Sequence, residues 1–179
     1  DRAYNIQKGC QGMLEYAVLY HSETGNTAKI ASAIFSQLPG KSKDLMQINL
    51  SEPIPEAAVY FVGFSVNRGT CCMEVADLLS ELHEKKVSLF ATCGANPIPE
   101  YIKEVESKVK VWLDDDNEYG GFFLCQGRMQ AKARDRWERI RNKENARHID
   151  AMLRNFEEAK LHPSTEDLKN AIEFAKARI

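Results

Sequence analysis

The chain has 179 residues, is 44% apolar and 28% charged, and carries a formal net charge of −2. That length suits one domain around one core, and the composition is ordinary for a globular protein. No run approaches the ~20 apolar residues that span a bilayer, and a slightly acidic total lacks the footprint of a nucleic-acid binder.

Residues 1–12 (DRAYNIQKGCQG) are polar, fit no element and lack the apolar core of a signal peptide. They are read as a leader or tag before Met13, the domain as residues 13–179 and the protein as cytoplasmic. Tyr16–His21 predicts a buried strand, and Asn26–Leu38 a helix with Ile30, Ala33, Ile34 and Leu38 at helical spacing. Pro39 and Gly40 stop that helix. Leu45–Leu50 reads as a short strand and the two-proline stretch Ser51–Glu56 as a loop. Ala57–Phe64 is continuously apolar, as a strand covered on both faces must be. Ser65–Thr70 is a polar loop, and Met73–Leu82 a helix with Val75, Leu78, Leu79 and Leu82 inward. Val87–Ala91 is the next buried strand, followed by the loop Thr92–Pro97. Pro99–Lys108 is a helix with proline in its first turn. Val109–Leu113 reads as a short strand, Asp114–Glu118 as an acidic loop and Gly121–Cys125 as the last strand. In residues 130–160, Trp137, Ile140, Ile149, Met152, Leu153 and Phe156 recur at helical spacing until Pro163 breaks the segment. Ser164 and Asp167 then form a near capping box for a final helix, Thr165–Ala177.

Strands that alternate with helices predict an α/β fold, a three-layer sandwich around a parallel sheet of about five strands. Right-handed crossovers put every strand-to-helix loop at one edge of such a sheet, where ligands bind. The five cysteines, Cys10, Cys71, Cys72, Cys93 and Cys125, are odd in number and spaced for neither a disulfide framework nor a metal pair. They are expected to be reduced and structural.

The stretch HSETGNT (residues 21–27) lies at that edge, after the first strand. Ser22, Thr24, Asn26 and Thr27 supply short polar groups, Gly25 lets the backbone curl, and the helix that follows offers free N–H groups at its positive end. Together they make an anion cradle sized for a phosphate and held without Lys or Arg. The pattern lacks the Gly-Lys-Ser/Thr of a Walker A loop, and G-x-G-x-x-G is absent.

Ser22-Glu23-Thr24-Gly25-Asn26-Thr27 resembles the [ST]-x-T-G-x-T phosphate signature of the flavodoxin family. The resemblance spans roughly residues 14–129 plus the last helix. It implies a five-stranded sheet in the order 2-1-3-4-5 and FMN as cofactor. Ser22, Thr24, Asn26 and Thr27 would grip the phosphate, with backbone N–H groups from Glu23 and Gly25. The ring would lie between the loop Ser65-Val66-Asn67-Arg68-Gly69-Thr70 and the loop Thr92-Cys93-Gly94-Ala95-Asn96, and Gly69 would allow the peptide rearrangement that accompanies protonation of flavin N5. The chain departs from well-known flavodoxins in having neither Trp nor Tyr in these loops; Phe64 is the nearest aromatic. Arg68, if near N1 and O2, would raise the second reduction potential by Coulomb attraction; the bland alternative is a solvated loop residue. Cys93 is expected to be a small buried side chain, and Cys71 and Cys72, at a helix start, to have no redox role. His21 reads as a packed strand-end residue, and His83, His148 and His162 form no metal cluster with carboxylates.

After the last strand the chain inserts a basic segment, residues 130–163, before the closing helix 164–179. Residues 1–129 hold 12 Lys and Arg against 17 Asp and Glu, net −5, whereas residues 130–179 hold 12 against 9, net +3. Lys132, Arg134, Arg136, Arg139, Arg141, Lys143 and Arg147 are opposed only by Asp135, Glu138 and Glu144. The segment reads as a solvated helix face, a docking surface for an acidic redox partner or a pocket for nicotinamide-cofactor phosphates. Trp137 is expected to pin it to the core.

Three functions remain in view. The first is an electron carrier serving a dedicated redox partner, such as a reductase. The second is an NAD(P)H-dependent flavin or quinone reductase. The third is a cofactor-free regulatory module, which the complete phosphate loop argues against. A response regulator would further need paired acidic residues where His21 and Ser22 stand.

Overall fold

The computed structural model describes residues 12–49 and 51–179. The leader up to Gln11, Cys10 included, and Leu50 lie outside them. The elements are β1 (Leu14–Tyr20), α1 (Asn26–Gln37), β2 (Lys43–Gln47), β3 (Ala57–Ser65), α2 (Met73–Ser80), β4 (Lys86–Cys93), α3 (Pro99–Lys110), β5 (Glu118–Gln126), α4 (Ala131–Ile140), α5 (Ala146–Ala159) and α6 (Thr165–Lys176). All five strands are parallel, in the order β2-β1-β3-β4-β5. The chain winds one way from β1 to β2 and the other way from β3 onward, so the strand order reverses between β1 and β3. Tyr20 pairs with Gly63 and Ser65 with Thr92, which levels the ends of β1, β3 and β4 and sets their following loops side by side.

Two apolar layers sandwich the sheet. On one face Ile30, Ala31 and Ile34 of α1 and Ala171 and Ala175 of α6 cover Val18, Phe61, Phe90 and Cys125. On the other, Val75, Leu78 and Leu79 of α2, Leu82 just beyond it, and Val105 and Val109 of α3 cover Leu19, Tyr60, Val62 and Leu89. Double-sided cover is why β3 and β4 read as unbroken apolar runs. Among the described residues no helix lies in the connection from β2 to β3; Ile48 and Ile54 fill that part of the second layer. None of the described helices is long and apolar enough to cross a membrane.

Several boundaries differ from the sequence expectation, and three of them have a cause in pairing or packing. β2 starts at Lys43, because this edge strand is defined by its ladder to β1, from Tyr16↔Lys43 to Tyr20↔Gln47, and an edge strand needs few apolar residues. Val109–Leu113 is no strand: Val109 sits one helical turn after Val105 on the buried face of α3, which runs to Lys110 and closes in a turn, with Trp112 N–H on Val109 O and Leu113 N–H on Lys110 O. β5 begins already at Glu118, where its N–H donates to Lys85 O at 2.8 Å. The basic insertion is a two-helix hairpin, α4 and α5. Trp137 packs edge-on against Phe156 of α5, with centroids 6.4 Å apart, so it pins α4 to α5 and not to the sheet core.

Candidate functional site

The β1–α1 loop ends on Gly25, whose φ of +89° is left-handed, a conformation that glycine adopts without steric cost. Gly25 is the N-cap of α1, and no side chain caps the helix. The first turn contains no acidic residue, so its amides have no carboxylate partner. A Cβ built on Gly25 meets nothing within 4 Å, which leaves the space in front of these amides open. Ser22 Oγ accepts the Gly25 N–H at 3.1 Å and tightens the loop, so this amide, expected from the sequence to face a phosphate, is engaged within the loop itself.

Asn26 and Thr27 are buried and tie the loop to its neighbours. Asn26 Nδ2 donates to Thr24 Oγ1 at 3.2 Å and to Arg128 O, beyond β5, at 2.8 Å. A Cβ on Gly127 would lie 2.7 Å from Asn26 Nδ2, so the close approach there needs glycine. Thr27 Oγ1 pairs with Thr92 Oγ1 at 2.9 Å, bracing the loop against the end of β4. Ser22 is half-buried, and Glu23 and Thr24 are exposed.

The β3–α2 loop leaves Ser65 half-buried and turns back on itself. Asn67 N–H donates to Thr70 O at 2.9 Å and Thr70 N–H to Asn67 O at 3.1 Å. Arg68 (φ 52°) and Gly69 (φ 80°) occupy the two central positions, the pattern of a type I′ turn. Val66 N–H anchors the loop to Thr92 O at 2.8 Å. Arg68 is exposed and forms no ion pair among the described residues. The turn faces α3, since a Cβ on Gly69 would lie 3.3 Å from Lys108 Nζ.

The β4–α3 loop is held from behind. Gly94 O accepts from both Gln126 Nε2 and Asn155 Nδ2, each at 2.9 Å, and Gln126 Nε2 also reaches Asn155 Oδ1 at 3.0 Å. Met129 packs on Gly94 so closely that a Cβ there would lie 2.8 Å from its Cγ. Ala95 and Asn96 are left exposed. Cys93 is buried, its Sγ donating to Ala95 O at 3.2 Å, and burial pushes its thiol up to about 12. Phe64 is sealed inside and stacks on Phe122 at 6.0 Å, so it walls no cleft. Tyr101, in the first turn of α3, is partly buried near Cys93.

Gln126, Met129, Asn155 and Tyr101 were not singled out in the sequence. Asn155 acts across a separation of 61 residues, and its local signal is that of one polar position on a helix whose Ile149 and Phe156 are buried. Within the insertion, Arg141 grips Asp150 with two bonds of 2.7 and 2.9 Å, and Arg134 pairs with Glu138 and Glu157. Lys132, Arg136, Arg139, Lys143 and Arg147 form no ion pair among the described residues, and α4 contains no buried residue. His21, Cys72 and Glu74 converge, as do His83, Asp114 and Asp116, against the expectation that His83 meets no carboxylate cluster and that His21 is only a packed strand-end residue.

The donor set suits a phosphomonoester. Amides at an uncapped helix start, hydroxyls at Ser22 and Thr24, and an open space before a left-handed glycine together hold an anion without a counter-cation. Residues 17–176 match the model of the flavodoxin domain. A flavodoxin-like domain-containing protein BilS of Clostridioides difficile (strain CD3) is 32% identical over 164 residues, covering 89% of this chain and 93% of that protein. A short-chain flavodoxin associated with a non-canonical PDU bacterial microcompartment shares the fold at a TM-score of 0.51 and 14% identity, over 93% of this chain and 97% of that one. A flavoprotein of Lactobacillus acidophilus NCFM, solved in complex with FMN, is similar at a TM-score of 0.47 and 18% identity over 70% of this chain and 99% of that one. By the extent of the domain match and the identity to BilS, this chain belongs to the flavodoxin domain family, and FMN is the cofactor that its family and its first loop assign to it.

Proposed function

We propose that the chain carries electrons on FMN to or from a dedicated protein partner. The observation that carries this reading is the uncapped, acid-free start of α1, placed where the strand order reverses. Bound there, FMN supplies reversible one- and two-electron transfer. Ser22 and Thr24, with the first-turn amides of α1, hold the phosphate. Asn26 and Thr27 keep that cradle in register with the loops after β5 and β4. The 67–70 turn and the loop at 94–96 flank the ring, and Gly69, already at positive φ, tolerates reorientation of its peptide. Arg68 places a cation in the first of these loops. Among Ser65–Thr70 and Thr92–Ala95 no carboxylate or imidazole is present to act as acid or base, which favours a carrier over a hydrolytic or isomerising enzyme.

The partner-facing region is the insertion. α4 begins two residues after Met129, which packs on Gly94, so the helix that carries Lys132, Arg136 and Arg139 starts next to the ring loop. A positive face there speeds encounter with an acidic partner. A second reading, an NAD(P)H-dependent flavin or quinone reductase, draws on the lack of an aromatic at Val66 and Asn67, which leaves room beside the ring. One titration separates them. The purified protein mixed with FMN is expected to retain yellow colour after desalting, to bleach with dithionite and to stay oxidised with NADPH alone. Bleaching by NADPH would favour the reductase, and failure to retain flavin would overturn both.

A further inference from the structure

Beside the phosphate loop, on the α2 side of the sheet, three side chains of different chemistry meet. His21 follows β1, where its N–H donates to Gly63 O at 2.9 Å. Cys72 is the N-cap of α2, and Glu74 lies in its first turn. Their ligand atoms (one imidazole nitrogen, one sulfur and one carboxylate oxygen) all lie within 4.8 Å of one another, and each residue is half-buried. The geometry points to a divalent transition-metal site, of the zinc class, formed by His21, Cys72 and Glu74.

Zinc bonds of ~2.0–2.3 Å place tetrahedral ligands about 3.3–3.8 Å apart, so a contraction of roughly 1 Å closes the set. The ligands come from a strand end and a helix start, so the contraction falls to rotation of the three side chains. A thiolate with an imidazole selects zinc-like metals over magnesium or calcium. The positive end of α2 stabilises the two anionic ligands. Three protein ligands leave a fourth position, and a hollow of about 590 Å³ lined by His21, Gln47, Ile48, Asn49, Glu52 and Glu74 adjoins it, with room for water or a small ligand. On binding, the S–H bond breaks, a metal–sulfur bond forms, and one proton leaves to solvent; no electron moves. The cluster at His83, Asp114 and Asp116 is the weaker candidate, being exposed and without a soft ligand.

The test is zinc stoichiometry on the FMN-loaded protein by native mass spectrometry, with Co2+ as the optical probe. One zinc per chain is expected, and Co2+ should give a thiolate-to-metal charge-transfer band. Cys72→Ser and His21→Ala should each weaken binding by at least about tenfold, a loss that even outer-sphere changes can cause. Cys71→Ser should bind as the parent does. Flavin absorbance, read in the same samples, reports the FMN site separately. If circular dichroism shows Cys72→Ser to be unfolded, His21→Ala and Glu74→Gln carry the comparison. The proposal is overturned if the parent binds no more zinc than these variants, or if the charge-transfer band vanishes with Cys71→Ser instead.

Discussion

At the scale of single residues, Gly25 concentrates the chemistry of the site. An L side chain at φ +89° is strained by about 1–2 kcal/mol. Gly25→Ala is therefore expected to lower the melting temperature by a few degrees and, because the loop escapes that strain by leaving the left-handed conformation, to weaken FMN binding roughly tenfold, read by the return of free-flavin fluorescence on titration. Ser88 is the opposite case. Its hydroxyl is buried at the irregularity between Val87 and Ser88, against Gly120, and has no hydrogen-bond partner among the described residues. Such a group costs desolvation with nothing in return, so Ser88→Ala should stabilise the chain by about 1 kcal/mol, visible as a higher midpoint in urea. The anion loop was legible in the sequence because its parts lie within six residues and act through local chemistry. The Gly94 clamp was not, because Gln126 and Asn155 become its partners only after β5 and α5 are in place.

Elements show the same division. The buried strands β3 and β4 and helix α1 were readable because double-sided burial writes itself as apolar runs and helical spacing. The edge strand β2 and the end of α3 were misjudged because a pairing ladder and a helical turn decided them, not apolarity. Packing between elements also fixes Gly63. A Cβ there would overlap the Phe90 ring that fills the layer beneath α1 and α6. Gly63→Ala should cost about 1–3 kcal/mol and lower the melting temperature by several degrees. α6 begins with a complete capping box between Ser164 and Asp167, and the same carboxylate binds His162 Nδ1 at 2.5 Å. Burial opposes the charged imidazole, yet Asp167 and Glu158 outweigh it, and the His162 pKa lies above its ordinary 6.5. A raised folded-state value means that this stabilisation is fully present below pH 6.5 and disappears as pH climbs through the raised value. Thermal melts should therefore show stability declining from about pH 6.5 through the raised value and levelling above it, and His162→Gln should flatten the decline.

For the molecule as a whole, charge is divided between a mildly acidic sandwich and a basic hairpin. Reversing Lys132, Arg136 and Arg139 to glutamate should slow oxidation of the reduced protein by ferricyanide and speed it by a cationic cobalt ammine. Both effects should fade as salt shortens the Debye length from about 10 Å at 0.1 M; equal rates for the parent and variant at low salt would remove the steering role. The net charges of the two segments were plain from the sequence, but not how many cations stay unpaired, since Arg134 and Arg141 find carboxylates on α5. The clamp on Gly94 also sets an order in time. A chain emerging from the ribosome displays its ring loop 61 residues before the amide of Asn155 that secures it. Tight capture of the cofactor must therefore wait until α5 has been made, and a nascent chain halted before it would hold flavin loosely even with its phosphate cradle intact.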